Sequence, residues 1–356
     1  MINVAIVGIH GVPANYGGFE SLVENLIGDN CPSDIHYTVF CSSVDMKGTP
    51  KKYKGADLRY VNIHANGIYS IPYDIVSMCK SLSGFDVILV LGVSGCMFMP
   101  ILRRMTKAKI IVNIDGLEHR RDKWGEAARW VLRKSEAKAV KYADIIVADN
   151  KGIQDYVSET YGKPSVLIAY GGDHVKRNVS KSLVNDVMSK FKLHPGQYAI
   201  TVCRVEPENN SHIILKAFSQ ASRELVFVGN WHHSDYSRQL KAKYSVYPNL
   251  HLLDAIYDLD ILYALRSNAG IYIHGHSAGG TNPSLVEAMH FGMPIITCDV
   301  VYNRETTEGK AYYFKNVDQL VKLIDRQDLE GESMIEIAQR RYTWKHISEQ
   351  YCKLYR

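Results

Sequence analysis

Short apolar runs alternate with helix-period segments over almost the whole chain, and this alternation constrains the fold more than any other feature. Strand-like runs stand at Asn3–Val7, Tyr37–Phe40, Val87–Leu91, Lys109–Ile114, Ile145–Ala148 and Val166–Ala169. A second series stands at Ala199–Cys203, Leu225–Val228, Gly270–Ile273 and Pro294–Thr297. Between them, residues such as Phe19, Leu22, Val23 and Leu26 recur at helical spacing. Strands that are apolar on both faces and separated by helices predict parallel sheets covered on both sides. A chain of 356 residues exceeds one ordinary core, so the two series predict two Rossmann-like α/β domains. The boundary is expected near 172–195, after the turn Tyr170-Gly-Gly-Asp, which gives domains over 1–175 and 176–340. A closing helix over 341–356 carries Trp344, Ile347, Tyr351 and Leu354 at helical intervals.

Composition narrows the class. A hydrophobic fraction of 46% with 22% charged residues is that of a globular protein. The net charge of +5 suits anionic ligands or an acidic membrane surface and does not call for nucleic acid. The opening Met1-Ile-Asn-Val-Ala-Ile-Val-Gly has neither the basic stretch nor the cleavage site of a signal peptide. Seven scattered cysteines, none in a C-x-x-C pair, read as reduced cysteines of a cytosolic protein. The longest apolar stretch, Val87 to Leu102, is broken by glycines and a proline and is too short to span a bilayer.

The first strand leads into Gly8-Ile-His-Gly11-Val-Pro-Ala-Asn-Tyr-Gly17-Gly18-Phe-Glu-Ser. Such a loop opening a helix presents free N–H groups to a phosphate, or it is a tight strand-to-helix connection. The spacing Gly8-x-x-Gly11 is not the dinucleotide fingerprint, and the second strand ends in Cys41-Ser42-Ser43 where a ribose-binding acid is required. The loop also lacks the G-K-[ST] ending of a Walker A motif.

The second series carries two further loops. Arg204-Val-Glu-Pro-Glu-Asn-Asn210 follows a strand's carboxyl end, where open α/β sheets bind ligands, and an Arg fork there suits a diphosphate. Pairing of Arg204 with Glu206 or Glu208 is the alternative. The segment His274-Gly-His-Ser-Ala-Gly279-Gly280-Thr281-Asn282-Pro-Ser284-Leu-Val-Glu287-Ala-Met places a small-residue turn before a helix that starts near Pro283. Its backbone amides are available to phosphate oxygens. Glu287, about one turn in, is within reach of ribose hydroxyls.

These motifs together resemble the retaining GT-B glycosyltransferases of family four, over essentially the whole chain. The phrases Val-Pro-Ala-Asn-Tyr-Gly-Gly-Phe-Glu and Asp115-Gly-Leu-Glu118, near Lys123-Trp-Gly125, resemble a bacterial rhamnosyltransferase-like subgroup. The resemblance implies two Rossmann-like domains facing each other across a cleft, with the closing helix returning to the first. It implies a nucleotide-diphosphate sugar on the second domain, held by Arg204, Asn209, Gly279, Gly280, Thr281, Asn282, Ser284 and Glu287 with help from Gly17 and Gly18. The acceptor, a saccharide or lipid-linked saccharide, falls to the first. No cofactor and no metal is implied, and L-rhamnose from dTDP-rhamnose is the favoured donor. Two positions depart from the wider family: Asn209 stands where a Lys is usual, and Gly279 where a second Glu is usual.

Acceptor-side acids and bases are expected at the carboxyl ends of first-domain strands. Asp149 with Tyr170 is the preferred pair, with Asp115 and Glu118 as further candidates; turn or cap roles are the alternative for each. Asp258-Leu-Asp260 has the form of a metal-binding D-x-D but sits in a helical stretch, and His274-x-His276 and His232-His233 lack matching zinc ligands. Between Arg103 and Lys141 twelve cations outnumber five acids, with Trp124 and Trp130 interleaved. That run is either a solvated face or a peripheral contact with an anionic leaflet at the inner face of the plasma membrane. A nucleotide-sugar epimerase or phosphorylase on the same fold, and a non-catalytic nucleotide-sugar-binding partner, are the competing readings.

Overall fold

The computed structural model describes the chain except residues 15–16, 29–31, 115 and 121–124. It divides into two compact units: Met1–Tyr170 with Trp344–Arg356, and Gly171–Thr343.

The first unit holds eight strands: β1 (Ile2–Val7), β2 (Ile35–Ser42), β3 (Lys52–Tyr53), β4 (Ala56–Val61), β5 (Val87–Leu91), β6 (Lys109–Asn113), β7 (Ile145–Ala148) and β8 (Val166–Leu167). They form one sheet in the order β3-β4-β2-β1-β5-β6-β7-β8, parallel except for the short antiparallel β3–β4 pair. β5 is Val-Ile-Leu-Val-Leu and buried throughout, because helices cover both faces of the sheet. The sequence pattern missed β3 and β4. β4, next to the sheet's edge, interrupts its apolar residues with Asp57 and Arg59, so no continuous apolar run marks it.

The closing helix, Trp344–Tyr355, belongs to this unit. Trp344, Ile347, Tyr351, Cys352 and Tyr355 enter its core, and Asn113 donates to the Tyr351 hydroxyl at 2.9 Å. Lys109 Nζ donates to the carbonyls of Leu354 at 3.0 Å and Arg356 at 2.6 Å, so a cation meets the helix's open C-terminus.

The second unit holds β9 (Tyr198–Val202), β10 (Glu224–Val228), β11 (Leu250–Leu253), β12 (Ile271–His274), β13 (Ile295–Cys298) and β14 (Tyr312–Phe314). They form an all-parallel sheet in the order β11-β10-β9-β12-β13-β14. β11 and β14 are short edge strands with partly exposed residues, and the apolar-run criterion passed over both. Trp231, Phe227, Phe218 and Phe314 fill the core on one face. Among the described residues no helix is long and apolar enough to cross a membrane.

Candidate functional site

In the second sheet the chain reverses direction between β9 and β12. β9 leads outward to β10 and β11, while β12 leads outward to β13 and β14. Ligands of open parallel sheets bind at the carboxyl ends of the strands flanking such a reversal. Two loops leave the sheet there, 203–210 from β9 and 275–282 from β12.

The loops are tied to each other. Asn209 Nδ2 donates to the Arg204 carbonyl and Asn209 Oδ1 meets His276 Nδ1, both at 2.7 Å. Asn210, in the left-handed region at φ +49°, donates to the Gly275 carbonyl at 2.8 Å. Ser277 donates its N–H and its hydroxyl to the Glu208 carbonyl, each at 2.9 Å. Gly275 makes this approach possible, since a Cβ there would lie 2.0 Å from the Asn209 carbonyl oxygen. Asn209, expected to hold the donor, is buried and bonded at both ends of its carboxamide. Its side chain therefore braces the Arg204 loop against His276 rather than reaching for a ligand.

Arg204 is half exposed. Its guanidinium lies 3.6 Å from Glu206 and 4.0 Å from Glu208, contacts longer than hydrogen bonds that leave the fork able to turn toward an anion. Gly279 and Gly280 form the bend of the second loop, with Gly280 at φ +77°, and Thr281 is buried beside them. Asn282 caps the helix Pro283–Met289, its Oδ1 accepting from the Ser284 N–H at 3.0 Å and the Ser284 hydroxyl at 2.8 Å.

Glu287, one turn into that helix, is held by Arg266 and His174. Arg266 Nη2 donates to Oε2 at 2.7 Å, and His174 Nε2 lies 3.4 Å from Oε1. Burial raises the carboxyl's pKa, but the Arg266 charge and the His174 contact outweigh it and bring it down to about 2. Arg266 is only 5% exposed, on the buried face of the helix Leu259–Ser267. His174 stands in the turn Asp173–Val175, which Gly172 presses onto the Glu287 helix: a Cβ on Gly172 would come within 2.9 Å of the Glu287 backbone nitrogen. Neither partner was named from the sequence. The available signal was an arginine interrupting the apolar face Leu262, Ala264 and Leu265.

The decoys resolve into structure. Asp258 caps the helix Leu259–Ser267 by accepting from the Asp260 and Ile261 N–H groups, and Asp260 pairs with Arg177. His274 ends β12 fully buried; burial first, and then neighbouring His276, hold its imidazole well below the ordinary range and keep it neutral at pH 7. No group of three or more metal-ligating side chains gathers among the described residues.

In the first unit Gly17 caps the helix Gly18–Leu26, and Glu20 accepts from the His10 N–H at 2.9 Å within the same glycine loop. A carboxylate thus already sits beside this helix N-terminus. Gly8 lies at φ +98°, where a Cβ would meet the Leu91 carbonyl oxygen at 2.1 Å, so this glycine permits close packing of the loop on β5. Asp149 and Tyr170 follow the neighbouring strands β7 and β8, and both are buried. The Tyr170 ring packs 6.4 Å from Phe19, on the helix opened by Gly18. Burial and then the nearby Asp149 charge drive the Tyr351 phenol well above its ordinary range. Glu118 is half buried in the turn Glu118–Arg120, and Asp115 lies outside the described residues.

One first-unit cluster was not foreseen. Glu136 is fully buried and accepts from His119 Nδ1 at 3.1 Å and from the Tyr156 and Tyr161 hydroxyls at 2.7 Å each. Burial alone would raise this carboxyl; the three hydrogen bonds, His119's the largest, leave it below its ordinary value.

The geometry can be set beside known proteins. Residues 186–340 match the family model described as Glycosyl transferases group 1, and residues 1–173 match a Domain of unknown function (DUF1972). The second unit carries a glycosyltransferase group 1 domain. No curated relative matches the chain in sequence. Among solved structures, sucrose-phosphate synthase from Thermosynechococcus elongatus superposes with a TM-score of 0.82 at 16% identity, over 100% of this chain and 98% of that one. Anabaena Alr3699/HepE in complex with UDP and glucose gives 0.76 at 14% identity, over 99% of each chain. An alpha,alpha-trehalose-phosphate synthase (UDP-forming) from Burkholderia xenovorans, in complex with glucose-6-phosphate, gives 0.72 at 10% identity over 100% of each. At these identities the likeness shows the fold, which is GT-B. In this chain the group 1 domain contains the Arg204 loop, the Gly279–Asn282 bend and the Glu287–Arg266 pair.

Proposed function

We propose that the chain transfers a sugar from a nucleotide-diphosphate donor bound by the second unit to a saccharide or lipid-linked saccharide bound by the first. The observation that carries this reading is the Glu287 assembly at the sheet reversal. A carboxylate fixed by Arg266 and His174 stays ionised at neutral pH and keeps lone pairs for two ribose hydroxyls. The exposed fork of Arg204 and the amides of the Gly279–Asn282 bend supply charge stabilisation for a departing nucleoside diphosphate. Asp149, Tyr170 and Glu118, with Asp115, are the acceptor-side candidates. The reaction retains anomeric configuration, needs no metal or other cofactor, and uses dTDP-L-rhamnose for cell-surface polysaccharide in the cytoplasm. HepE is described in complex with UDP and with UDP-glucose, which supports a nucleotide-sugar ligand for the same fold.

The test is a thermal-shift panel of dTDP-, UDP-, GDP- and ADP-sugars, with and without EDTA. A ligand at about 100 times its Kd stabilises the folded state by about 2.7 kcal/mol. The expected result is a selective shift with dTDP-rhamnose that EDTA leaves unchanged and Arg204→Ala abolishes. A shift with no nucleotide sugar would sink the reading in favour of the non-catalytic one. The anomeric configuration of the product, read by proton NMR, tests retention.

Peripheral membrane contact is favoured by a specific surface. Met97, Ile101 and Met105 recur every four residues through the turn Cys96–Phe98 and the helix Met99–Met105, and all three are exposed. The packed helix Glu126–Tyr142 adds Trp130 at 60% exposure, and Arg104 and Lys107 are exposed beside the stripe. Apolar side chains flanked by cations suit an anionic leaflet. Sedimentation with vesicles containing phosphatidylglycerol checks this. Binding is expected to fall at least tenfold in Ile101→Ser/Met105→Ser, and equal binding would refute it.

A further inference from the structure

Helix Glu126–Tyr142, helix Lys151–Tyr161 and the turn Glu118–Arg120 border an open pocket of about 460 Å³ within the first unit, lined by His119, Arg133, Lys134, Tyr156, Thr160 and Tyr161. That volume lies within the roughly 300–1,000 Å³ typical of small-molecule sites. The walls are aromatic: the Tyr156 and Tyr161 rings meet edge to face at 90°, and the His119 ring lies 6.2 Å from Tyr156. Glu136 fixes them from behind. Both phenols donate to its Oε1 and His119 holds its Oε2, so the three rings have little freedom to collapse into the space. Because each phenol's proton is engaged by Glu136, neither tyrosine donates into the space, and both line it chiefly as aromatic wall.

Among the described residues the charges at the rim are one-sided. Arg133 and Lys134 are exposed, and neither pairs with a carboxylate among the described residues, whereas Glu136 is fully buried behind the tyrosines. Aromatic walls and two cations at the rim match a sugar ring that carries an anionic group. A free phosphate would leave the aromatic walls unused, and a neutral sugar would leave the cations unused. His119 follows Glu118 in one turn, so the pocket adjoins the acceptor-side candidates along the chain.

We propose that this pocket is a second saccharide site, binding an acidic sugar unit of the acceptor away from the point of transfer. It rests on the reading of the first unit as the acceptor side. The shared chemistry is a pyranose with a negative charge, supplied by a uronic acid or by a sugar phosphate.

The test uses the whole chain and saturation-transfer NMR with four probes: glucuronic acid, glucose 1-phosphate, methyl α-glucoside and inorganic phosphate. Arg133→Ala/Lys134→Ala removes the exposed charges, and Thr160→Trp fills the pocket from an exposed position. One or both anionic sugars are expected to bind, with at least tenfold loss in each variant, and the one that binds names the source of the charge. UDP binding, followed in parallel, reports the second unit and is expected to stay unchanged in both variants. Full retention of sugar binding in both variants, or inorganic phosphate binding as tightly as the sugars, would overturn the proposal while the donor reading stands. Loss of UDP binding by the wild-type chain would instead remove the donor reading.

Discussion

Glu287→Gln isolates the charge that Arg266 and His174 hold while keeping the side chain's shape. The folded carboxyl sits at about 2 against an ordinary 4.5. At 1.36 kcal/mol per pH unit this is about 3 kcal/mol of stability. Because the folded value is the lower one, the contribution is complete above about pH 4.5 and disappears as the pH falls toward 2. The substitution also leaves the Arg266 guanidinium, 5% exposed, without its anionic partner. Removing one member of a buried ion pair costs ~3–5 kcal/mol, which agrees with the first figure in sign and size. Urea denaturation followed by fluorine NMR of 5-fluorotryptophan at Trp231 reads the second unit, because that ring is fully buried in its core. The variant is expected to lose about 3 kcal/mol at pH 7 and pH 5.5, and the gap from wild type is expected to narrow below pH 4.5. A gap of the same size at pH 3, or none at pH 7, would refute the assignment of an ionised, stabilising Glu287.

Two further substitutions probe the frame of the sites. Gly275→Ala places a Cβ 2.0 Å from the Asn209 carbonyl oxygen. The loops must part, at a cost of about 1–3 kcal/mol, and a lower Tm with at least tenfold weaker UDP binding is expected in calorimetry and titration. Trp344→Ala empties a position 4% exposed where the closing helix enters the first core, and about 3–5 kcal/mol should be lost from that unit by urea titration while UDP affinity is retained.

The parallel sheets were legible because their central strands are apolar on both faces. Val87–Leu91 and Ile145–Ala148 match their predicted limits residue for residue, and the other central strands shift by one or two residues. The edge strands β3, β11 and β14 and the next-to-edge β4 were not legible, since strands at or near an edge present polar or exposed side chains and their pairing is decided by the neighbouring strand; the edge strand β8 was read from its apolar run. The turn before the helix Pro283–Met289 could be read because small residues and a cap cluster at one strand end. Long-range pairs could not. Arg266 reaches Glu287 across 21 positions of sequence, and His174 enters from the turn after Gly172, so only the packed structure joins them. The Glu136 cluster was hidden for the same reason: in sequence, its charge is one of many on a helix rich in cations.

The two departures from the wider family differ in their physical meaning. The resemblance sets a Lys against Asn209 and a Glu against Gly279, so one cation and one anion are missing together and the site's net charge is preserved. Binding of a diphosphate is therefore not weakened by net charge alone, and the non-catalytic reading gains nothing from counting the losses. Asn209 is also not a vacant version of that Lys, because its carboxamide bonds the Arg204 carbonyl and His276. An ammonium group accepts no hydrogen bond, so Asn209→Lys breaks the contact with His276 when Nδ1 carries its proton, and it places a charge at a position 4% exposed. A loss of about 2 kcal/mol or more by urea titration is expected, with UDP bound no tighter than by the wild type. If Asn209→Lys folds with unchanged stability and binds UDP tenfold tighter, the brace is dispensable and Asn209 belongs to the ligand after all.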